Sequence, residues 1–290
     1  MKTLEHKDAV LDALTTQHGF LSDLRIEGVD LSELDLDAPH FRNVELHHVA
    51  LRDADLSGTS WVGVSLHQVD LTRADLSGGT WQGVTLTNVD LRKGRLRGLH
   101  ALSTELRDVH LSEADGRGIR FEQCRLRSVD LRQARFDRSF WVGTECEDVI
   151  LEGTELRQAE LVETQLRADG PIRAAHVDLT DARADGLSLE HADLTEAVLR
   201  NAHLSGAALG LSRLLRADLE GATLDGAILV QSDLTGARID GASLRGANLA
   251  GAVFSGASLS GAILADATVN HTDFGGATLH GADLSGVDLR

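Results

Sequence analysis

Residues that could do chemistry are plentiful in this chain, but their spacing matches none of the usual sites. The candidate metal ligands are thirteen histidines and two cysteines, Cys124 and Cys146. None of them stands in an H-x-x-x-H or paired Cys/His spacing of the kind that structural zinc requires. His47 and His67 occupy equivalent places in two successive repeats, but such a pair supplies only two ligands. The sequence therefore predicts no metal and no cofactor.

The charge of the chain restricts its partners. Lys and Arg number 28 against 45 Asp and Glu, which gives a net charge of −17. Nucleic acids and anionic lipids are polyanions that proteins bind through Lys and Arg, so direct binding to either is disfavoured. No run approaches the ~18 apolar residues of a membrane span, and the N-terminus is too charged for a signal peptide. We expect a cytoplasmic protein with neutral or basic protein partners.

The sequence that positions these residues repeats every 20 residues, and each block of 20 contains a shorter repeat of five residues. Residues 51–70 and 71–90 are two blocks of 20 that agree at 12 positions. An apolar residue recurs at every fifth place, which fits neither the helical period near 3.6 nor the strand period of 2. Columns at the longer period share side-chain size, and like side chains stack without voids. The pattern predicts one four-sided coil per long period, with Cys124 and Cys146 as reduced, inward-facing packing residues.

The chain divides into four parts by the regularity of this pattern. Residues 1–24 predict a helical cap that ends near Gly19, because its apolar residues over 2–17 share one face. Residues 25–166 form a first run of repeats. At 167–178 the register slips by three residues around Pro171, which predicts either a hinge or a small binding loop. Residues 179–290 form a second run.

The repeats resemble a known family. Ala74-Asp75-Leu76-Ser77-Gly78, Ala217-Asp218-Leu219-Glu220-Gly221 and Ala282-Asp283-Leu284-Ser285-Gly286 are similar to the A-(D/N)-L-x-x unit of the pentapeptide repeat proteins. The resemblance covers the chain from about Ile26 to the C-terminus. It implies an all-β fold, a right-handed quadrilateral β-helix. The pentads of the two runs, four to a coil, predict about 13 coils, preceded by the short capping α-helix.

Acidic residues fall into two outward columns. The resemblance gives these columns one interpretation, because pentapeptide repeat proteins that protect DNA gyrase and topoisomerase IV from quinolones imitate DNA. The candidate residues for such a surface are Asp30, Asp70, Asp90 and Asp130 in the first acidic column, and Asp55 and Asp75 in the second.

A basic belt interrupts this acidic character. Residues 92–138 carry 12 Lys and Arg against 7 Asp and Glu. Complementary charge sets specificity and association rate, so the belt is a candidate docking site for an acidic partner. The alternative is local pairing with neighbouring acids. The candidate docking residues are Arg107, Arg120, Arg125, Arg127, Arg132 and Arg135.

The C-terminal pentads form the last candidate surface. An uncovered apolar end of a solenoid is adhesive. We therefore expect a partner to cover it or two copies to pair end to end there. The residues concerned are Phe274, Leu279, Leu284 and Leu289.

Three functions follow as hypotheses. Outward Ser, His and Asp side chains on a convex solenoid lack a water-excluding pocket, so we expect no enzyme activity. The first hypothesis is a non-catalytic interaction scaffold or adaptor, similar to the pentapeptide repeat partners of bacterial type VI secretion effectors and spike proteins. The second is a DNA-mimicking gyrase or topoisomerase regulator that gives quinolone or toxin resistance. The third is a structural spacer.

Overall fold

The computed structural model describes residues 1–35 and 39–287. These residues fall into two compact units, Met1–Val149 and Ile150–Arg290. Both units are parallel β-solenoids, and the described residues include one short helix near the start of the chain. The predicted handedness, the predicted number of coils and the predicted domain limits at 24, 166 and 178 stay predictions.

The N-terminal segment begins with a strand and not with the helix predicted for residues 2–17. Strand β1 (Lys2–Leu4) pairs in parallel with β3 (Leu24–Glu27), which covers the edge of the first coil. Helix α1 (Lys7–Thr16) follows and buries Val10 and Leu14. Its C-cap is Gln17, and the two residues after it, His18 and Gly19, are left-handed at φ 51° and 77°. The Gly19 N–H donates to the Leu14 carbonyl at 2.7 Å. The helix thus ends near Gly19 as predicted, but its cap is Gln17, and Gly19 closes the turn two residues later.

Two ladders of short parallel strands form two sides of the unit Met1–Val149. The first ladder is β1, β3, β5, β7, β9, β11, β13 and β15, and the second is β2, β4, β6, β8, β10, β12 and β14. The remaining strands are β2 (Phe20–Ser22), β4 (His40–Arg42), β5 (Glu45–His47), β6 (Ser60–Val62), β7 (Ser65–His67), β8 (Thr80–Gln82), β9 (Thr85–Asp90), β10 (His100–Leu102), β11 (Glu105–His110), β12 (Arg120–Glu122), β13 (Arg125–Arg127), β14 (Phe140–Val142) and β15 (Glu145–Glu147).

Pairing in these ladders confirms the period of 20. Leu46 pairs with Leu66 in the first ladder and Trp61 with Trp81 in the second. The other two sides of each coil pair through single bridges, such as Asp70 with Asp90 and Asp55 with Asp75. Four paired segments therefore recur in every long period, as the two periods of the sequence predicted.

Inward side chains fill the unit Met1–Val149 with unequal residues that compensate one another. Trp61 stacks on Trp81 with ring centroids 5.3 Å apart, and both are buried. Gly116 occupies an inward place where leucine is usual, and the ring of Phe136 fills the space. A Cβ built on Gly116 would lie 2.7 Å from Cε1 of Phe136. Dense packing is thus maintained by pairing a small residue with a large neighbour.

The unit Ile150–Arg290 is more uniform. It contains β16 (Glu160–Val162) and β17 (Gln165–Arg167), after which every side pairs through single bridges. The usual offset is 20, as between Arg173 and Asp193, but Glu155 bridges Asp178 at an offset of 23. Three additional residues are therefore inserted in this coil, around Pro171. Inward leucine stacks on leucine and alanine on alanine, as Leu199, Leu219 and Ala217 illustrate.

Within residues 1–35 and 39–287, no helix is long and apolar enough to cross a membrane. The helix α1 has only 10 residues.

Candidate functional site

The two acidic columns exist, but other residues interrupt them. Asp70 bridges Asp90, and Asp55 bridges Asp75. Ala50 bridges both Asp30 and Asp70, while His110 bridges Asp130. Ala50 and His110 therefore interrupt the first acidic column, and the spacing between its carboxylates is not uniform.

Turns hold the carboxylates of these columns. Asp70 accepts hydrogen bonds from the Thr72 N–H at 3.0 Å and the Thr72 hydroxyl at 2.6 Å. Asp55 accepts the Ser57 N–H at 2.9 Å, and this backbone bond is the main cause that lowers the pKa of Asp55. Each carboxylate thus closes the turn that follows it, a role that Asp commonly has in turns. Asp30 and Asp75 accept the N–H two residues later in the same way, at 2.9 Å each.

Arginines neutralise most of the same carboxylates. The pairs are Arg52 with Asp70 at 3.2 Å, Arg92 with Asp90 at 2.5 Å, Arg95 with Asp75 at 2.9 Å and Arg132 with Asp130 at 2.6 Å. Burial alone would raise the pKa of Asp90, but hydrogen bonds from the Arg92 side chain and backbone outweigh it and lower that pKa. The acidic columns are therefore ion-paired and not rows of free negative charge.

The basic belt is paired in the same manner. The pairs are Arg107 with Glu105 at 2.9 Å, Arg120 with Glu122 at 3.2 Å, Arg125 with Glu145 at 3.3 Å, Arg127 with Glu147 at 3.1 Å and Arg132 with Asp130 at 2.6 Å. Arg135 lies on the neighbouring side, bridged to Asp115. Local pairing, the alternative left open by the sequence, is what the structure shows for these five arginines.

The paired belt still presents charge to solvent. On adjacent strands of the first ladder stand Glu105 and Arg107, then Arg125 and Arg127, then Glu145 and Glu147. The Arg125 side chain is 61% exposed and that of Glu145 is 58% exposed. Exposed pairs of this kind contribute only about 0–1 kcal/mol to folding. These side chains can therefore exchange their partners for those of another protein at little cost to stability.

Histidines and cysteines lie where the sequence placed them. The rings of His47 and His67 are 5.6 Å apart on paired strands, and burial, then Arg25, lowers the pKa of His47. In residues 1–35 and 39–287, no three His, Cys, Asp or Glu are grouped as a metal site. Cys124 and Cys146 are free and buried, and burial raises the pKa of Cys146 to about 12.

The inserted loop of the unit Ile150–Arg290 forms an open cleft of about 580 Å³. Leu166, Pro171 and Ile172 are apolar residues of its lining, which also includes Glu190 and His191. Ile172 is buried and Leu166 is half-buried. The cleft keeps open the binding-loop alternative for residues 167–178.

The C-terminal coil is partly uncovered. Phe274, Leu279 and Leu284 are half-buried, and Phe274 stacks on Phe254 with centroids 5.3 Å apart. Leu289 lies outside the described residues. Pairing of two copies through this coil stays a prediction from the sequence.

Sequence reasoning missed one surface, formed by exposed aliphatic residues in the second run. Leu211 is 47% exposed and Ile228 is 44% exposed. The available signal was the corner position of Leu211, where most coils of the second run carry Gly or a polar residue.

Comparison with known proteins identifies the fold family. A sequence model of the pentapeptide repeats matches eight copies, over residues 51–88, 65–99, 104–140, 178–214, 212–251 and 252–290. These segments make up more than half of the chain. The chain belongs to the pentapeptide repeat family. No curated protein sequence matches it significantly.

Solved pentapeptide repeat structures resemble the chain only loosely. HetL, involved in heterocyst differentiation regulation in the cyanobacterium Nostoc sp. strain PCC 7120, is 23% identical over 98% of this chain and 97% of its own, with a TM-score of 0.27. A protein of the Arabidopsis thaliana thylakoid lumen is 34% identical over 37% and 71%, with a TM-score of 0.28. Full-length QnrB1, a plasmid-mediated fluoroquinolone resistance protein, is 15% identical over 93% and 94%, with a TM-score of 0.24. At these scores the likenesses support no statement about function.

Proposed function

We propose that this pentapeptide repeat protein is a non-catalytic scaffold or adaptor that binds other proteins through the outward faces of its coils. The observation that carries this proposal is the pattern of exposed charges on β11, β13 and β15. The outward pairs Glu105/Arg107, Arg125/Arg127 and Glu145/Glu147 differ in charge from one strand to the next, and strand pairing holds them in a fixed register. A rigid, non-repeating charge pattern gives specificity to a docking surface.

The titratable groups support a non-catalytic role. Hydrogen bonds from turns and arginines lower the pKa of Asp90 and Asp130, so these carboxylates stay ionised and are poor proton donors near neutral pH. The two thiols are buried, and burial raises the pKa of Cys124 to about 11. A buried, protonated thiol is a weak nucleophile.

The partner we propose is a bacterial type VI secretion effector or spike protein, met in the cytoplasm. This part of the proposal depends on the irregular, Arg-rich and Trp-containing first run of the sequence. A spacer role is the remaining alternative, and it requires no partner on the belt.

Charge exchange within one ion pair tests the proposal. In the double variant Arg125→Glu with Glu145→Arg, the pair is retained and the surface pattern is inverted. The matched control exchanges Asp53 and Arg73, which pair at 2.5 Å elsewhere in the same unit. We expect affinity capture from the native host to recover an effector or spike protein with the wild type and the control, and to lose it with the inverted belt. Equal recovery by all three proteins would exclude the belt, and recovery of no partner by any of them would favour a spacer.

A DNA-mimicking inhibitor of gyrase or topoisomerase IV is the second candidate, supported by the net charge of −17 and the acidic columns. The pairing of Asp70, Asp90 and Asp130 with arginines counts against it. A gyrase supercoiling assay with and without a quinolone tests this second candidate. Inhibition or drug protection at submicromolar protein that disappears in Asp70→Lys with Asp90→Lys would establish mimicry.

A further inference from the structure

One side of the unit Ile150–Arg290 differs from the other three in carrying no charge over four successive coils. The outward residues of this side between 208 and 271 include no Asp, Glu, Lys or Arg. They are Ala208, Leu211, Ile228, Val230, Gln231, Asn248, Ala250, Gly251, Thr268, Asn270 and His271. Each of the other sides of this unit contains charged residues in the same coils. An uncharged side is unusual on a protein of this charge density.

The aliphatic patch at the centre of this side consists of Ala208, Leu211, Ile228 and Val230. Ala208 bridges Ile228, and the Leu211 N–H donates to the Val230 carbonyl at 2.9 Å. The four residues are therefore neighbours on two adjacent coils. Among the described residues, the other large hydrophobic side chains with comparable exposure are Met1, Phe20 and Val162, which do not belong to this patch.

The backbone conformation of Leu211 is strained, which indicates that the leucine is kept there although it lowers the local stability. Its φ is 58°, in the left-handed region that glycine occupies at Gly206 and Gly226. All other described residues with positive φ are glycine or polar. A bulky aliphatic residue is strained there, and it also exposes apolar surface to water. Strained residues of this kind concentrate at functional surfaces.

Buried serines reinforce the two turns that present the patch. The Ser212 hydroxyl donates to the Leu209 carbonyl at 2.6 Å, and the Ser232 hydroxyl donates to the Leu229 carbonyl at 2.7 Å. Most corners of this unit have alanine in this buried position. Both hydroxyls add a second hydrogen bond to a carbonyl that the turn N–H already contacts. The corners at Leu211 and Gln231 are thus held more firmly than a Gly-Ala corner.

Three carboxylates without ion-pair partners form the acidic border of the patch: Asp225, three residues before Ile228, and Asp185 and Glu190 on the coil before Leu211. Asp185 accepts the Ser205 N–H, and Asp225 accepts the Ser243 hydroxyl and the Arg245 N–H. Glu190 is exposed and lines the cleft on the preceding coil of the same side. None of the three forms an ion pair with any residue in 1–35 or 39–287. These three carboxylates attract cations, and the net charge of −17 opposes pairing with a second copy of this chain.

We propose that the aliphatic patch and its acidic border bind an amphipathic helix of a partner protein, one that carries aliphatic side chains along one face and Lys or Arg beside them. This inference rests on the proposed adaptor function and names a second surface for it. A helix fits because backbone hydrogen bonds in a solenoid run between coils, so the side presents only side chains. An extended peptide laid there would leave its own N–H and C=O groups unpaired, whereas a helix pairs them internally.

The dimensions agree with a short helix. Four coils cover three spacings of ~4.8 Å, or ~14 Å, which a helix of about 10 residues spans at 1.5 Å per residue. A Lys or Arg near one end of such a helix reaches Glu190, and one along its edge reaches Asp225.

A displayed library of amphipathic helical peptides of about 12 residues tests the inference, with the full chain as the target. We expect enriched peptides to combine aliphatic residues at i, i+3 or i+4, and i+7 with flanking Lys or Arg. The double variant Leu211→Gly with Ile228→Ser should weaken their binding at least about tenfold, since exposed anchors dominate such interfaces. The control Val162→Ser, at a residue 46% exposed outside the patch, should bind as the wild type does.

A second measurement separates binding from folding. The single variant Leu211→Gly should raise the melting temperature, because glycine relieves the strain, while it weakens peptide binding. The variant Glu190→Gln with Asp225→Asn keeps the hydrogen-bond acceptors and should reduce both the affinity and its dependence on salt.

The inference is overturned if no peptide is enriched, if enriched peptides lack the aliphatic and basic pattern, or if they bind the double variant as well as the wild type. It is also overturned if sedimentation shows a dimer that Leu211→Gly with Ile228→Ser dissociates, because the occupant is then a second copy. If the Arg125/Glu145 exchange abolishes partner capture and the peptide screen fails, the adaptor function stands but the patch is not its docking site. If the exchange leaves capture unchanged and the peptide screen succeeds, the docking site is the patch and not the basic belt.

Discussion

The corners of the unit Met1–Val149 differ from those of the unit Ile150–Arg290 in the residue that fills the small inward slot. Where the slot is alanine, as at Ala54 in the first unit and Ala222 in the second, its N–H donates to the carbonyl three residues earlier and closes a tight turn. At Val89 and Val109 the strand continues through the corner, whereas β5, β7 and β13 end two residues before Val49, Val69 and Val129. A β-branched side chain favours the extended backbone. Among the described residues, extension of a strand through a corner is thus limited to Val89 and Val109, while alanine closes a turn at nearly every corner of the second unit.

The two interiors also differ in how packing is achieved. In the first unit, Gly116 depends on Phe136 from the next coil, so each coil is matched to its neighbour. In the second unit, leucine and alanine repeat at the inward positions, so the coils have nearly equivalent interiors. Substitution effects should therefore depend on position in the first unit and be nearly constant in the second, as expected for a sum of neighbour terms.

The largest effect is expected from a charge placed in either interior. Leu76→Asp in the first unit and Leu224→Asp in the second put a carboxylate where the side chain has 0% exposure. An uncompensated buried charge costs about 3–5 kcal/mol, and we expect thermal unfolding followed by circular dichroism to show at least this loss. Leu224→Met is the volume-conserving control and should cost below about 1.5 kcal/mol. An unchanged melting temperature in the Asp variants would refute the inward assignment of these leucines.

A smaller effect should reveal the matched packing of the first unit. Gly116→Leu adds atoms where Cε1 of Phe136 is 2.7 Å from the new Cβ, and overpacking of this kind costs about 1–3 kcal/mol. Adding Phe136→Leu returns space to the same site and should recover most of the loss. Denaturant unfolding measures both variants. If the second substitution lowers stability further, the two residues do not compensate one another.

The arginine-bound carboxylates should show a pH-dependent effect. Asp115 accepts hydrogen bonds from Arg97 at 2.6 Å and Arg117 at 2.8 Å. Burial raises the pKa of Asp115, but these bonds outweigh it and hold the pKa well below its ordinary value. The folded-state pKa is thus below the unfolded one, near 3.9, so the stabilisation is complete above that pH and is lost as the pH falls through the folded-state pKa.

The variant Asp115→Asn should therefore cost about 1–2 kcal/mol at pH 7, and its difference from the wild type should shrink below about pH 4. In the second unit, Asp178 is bound by Arg157 at 2.7 Å, and Asp178→Asn should behave alike. Melting temperatures from pH 7 to pH 2 measure both. A constant difference across this range would contradict the role of these carboxylates.

The smallest effect is expected for the exposed ion pairs of the belt. A double-mutant cycle with Arg125→Ala and Glu145→Ala should give a coupling below about 1 kcal/mol, because both side chains are more than half exposed. The coupling should decrease further in 1 M salt. A coupling above about 2 kcal/mol, well beyond the range of exposed pairs, would mean that the belt serves folding and would weaken its assignment as a docking surface.

Much of this architecture followed from the sequence because the repeat is long and regular. The period of 20 and the inward cysteines followed from columns of similar residues that continue along the sequence. The three inserted residues near Pro171 followed from a break in those columns. The strand at Lys2–Leu4 was missed because its residues also fit the face of a helix, and only the open edge at β3 favours the strand. For the basic belt the sequence left two alternatives, local ion pairs and docking of an acidic partner. It could not decide between them because pairing depends on which side chains face each other on adjacent coils.

The sequence by itself determined the coil, because five-residue periodicity leaves one way to bury a leucine at every fifth position. It also determined the columns, because residues one long period apart must stack. The tertiary structure alone decided which charges are neutralised, since Arg52 reaches Asp70 from a neighbouring coil. It alone assembled Leu211 and Ile228, 17 positions apart in the chain, into one patch, because adjacency on a solenoid is set by the stacking of coils and not by distance along the sequence.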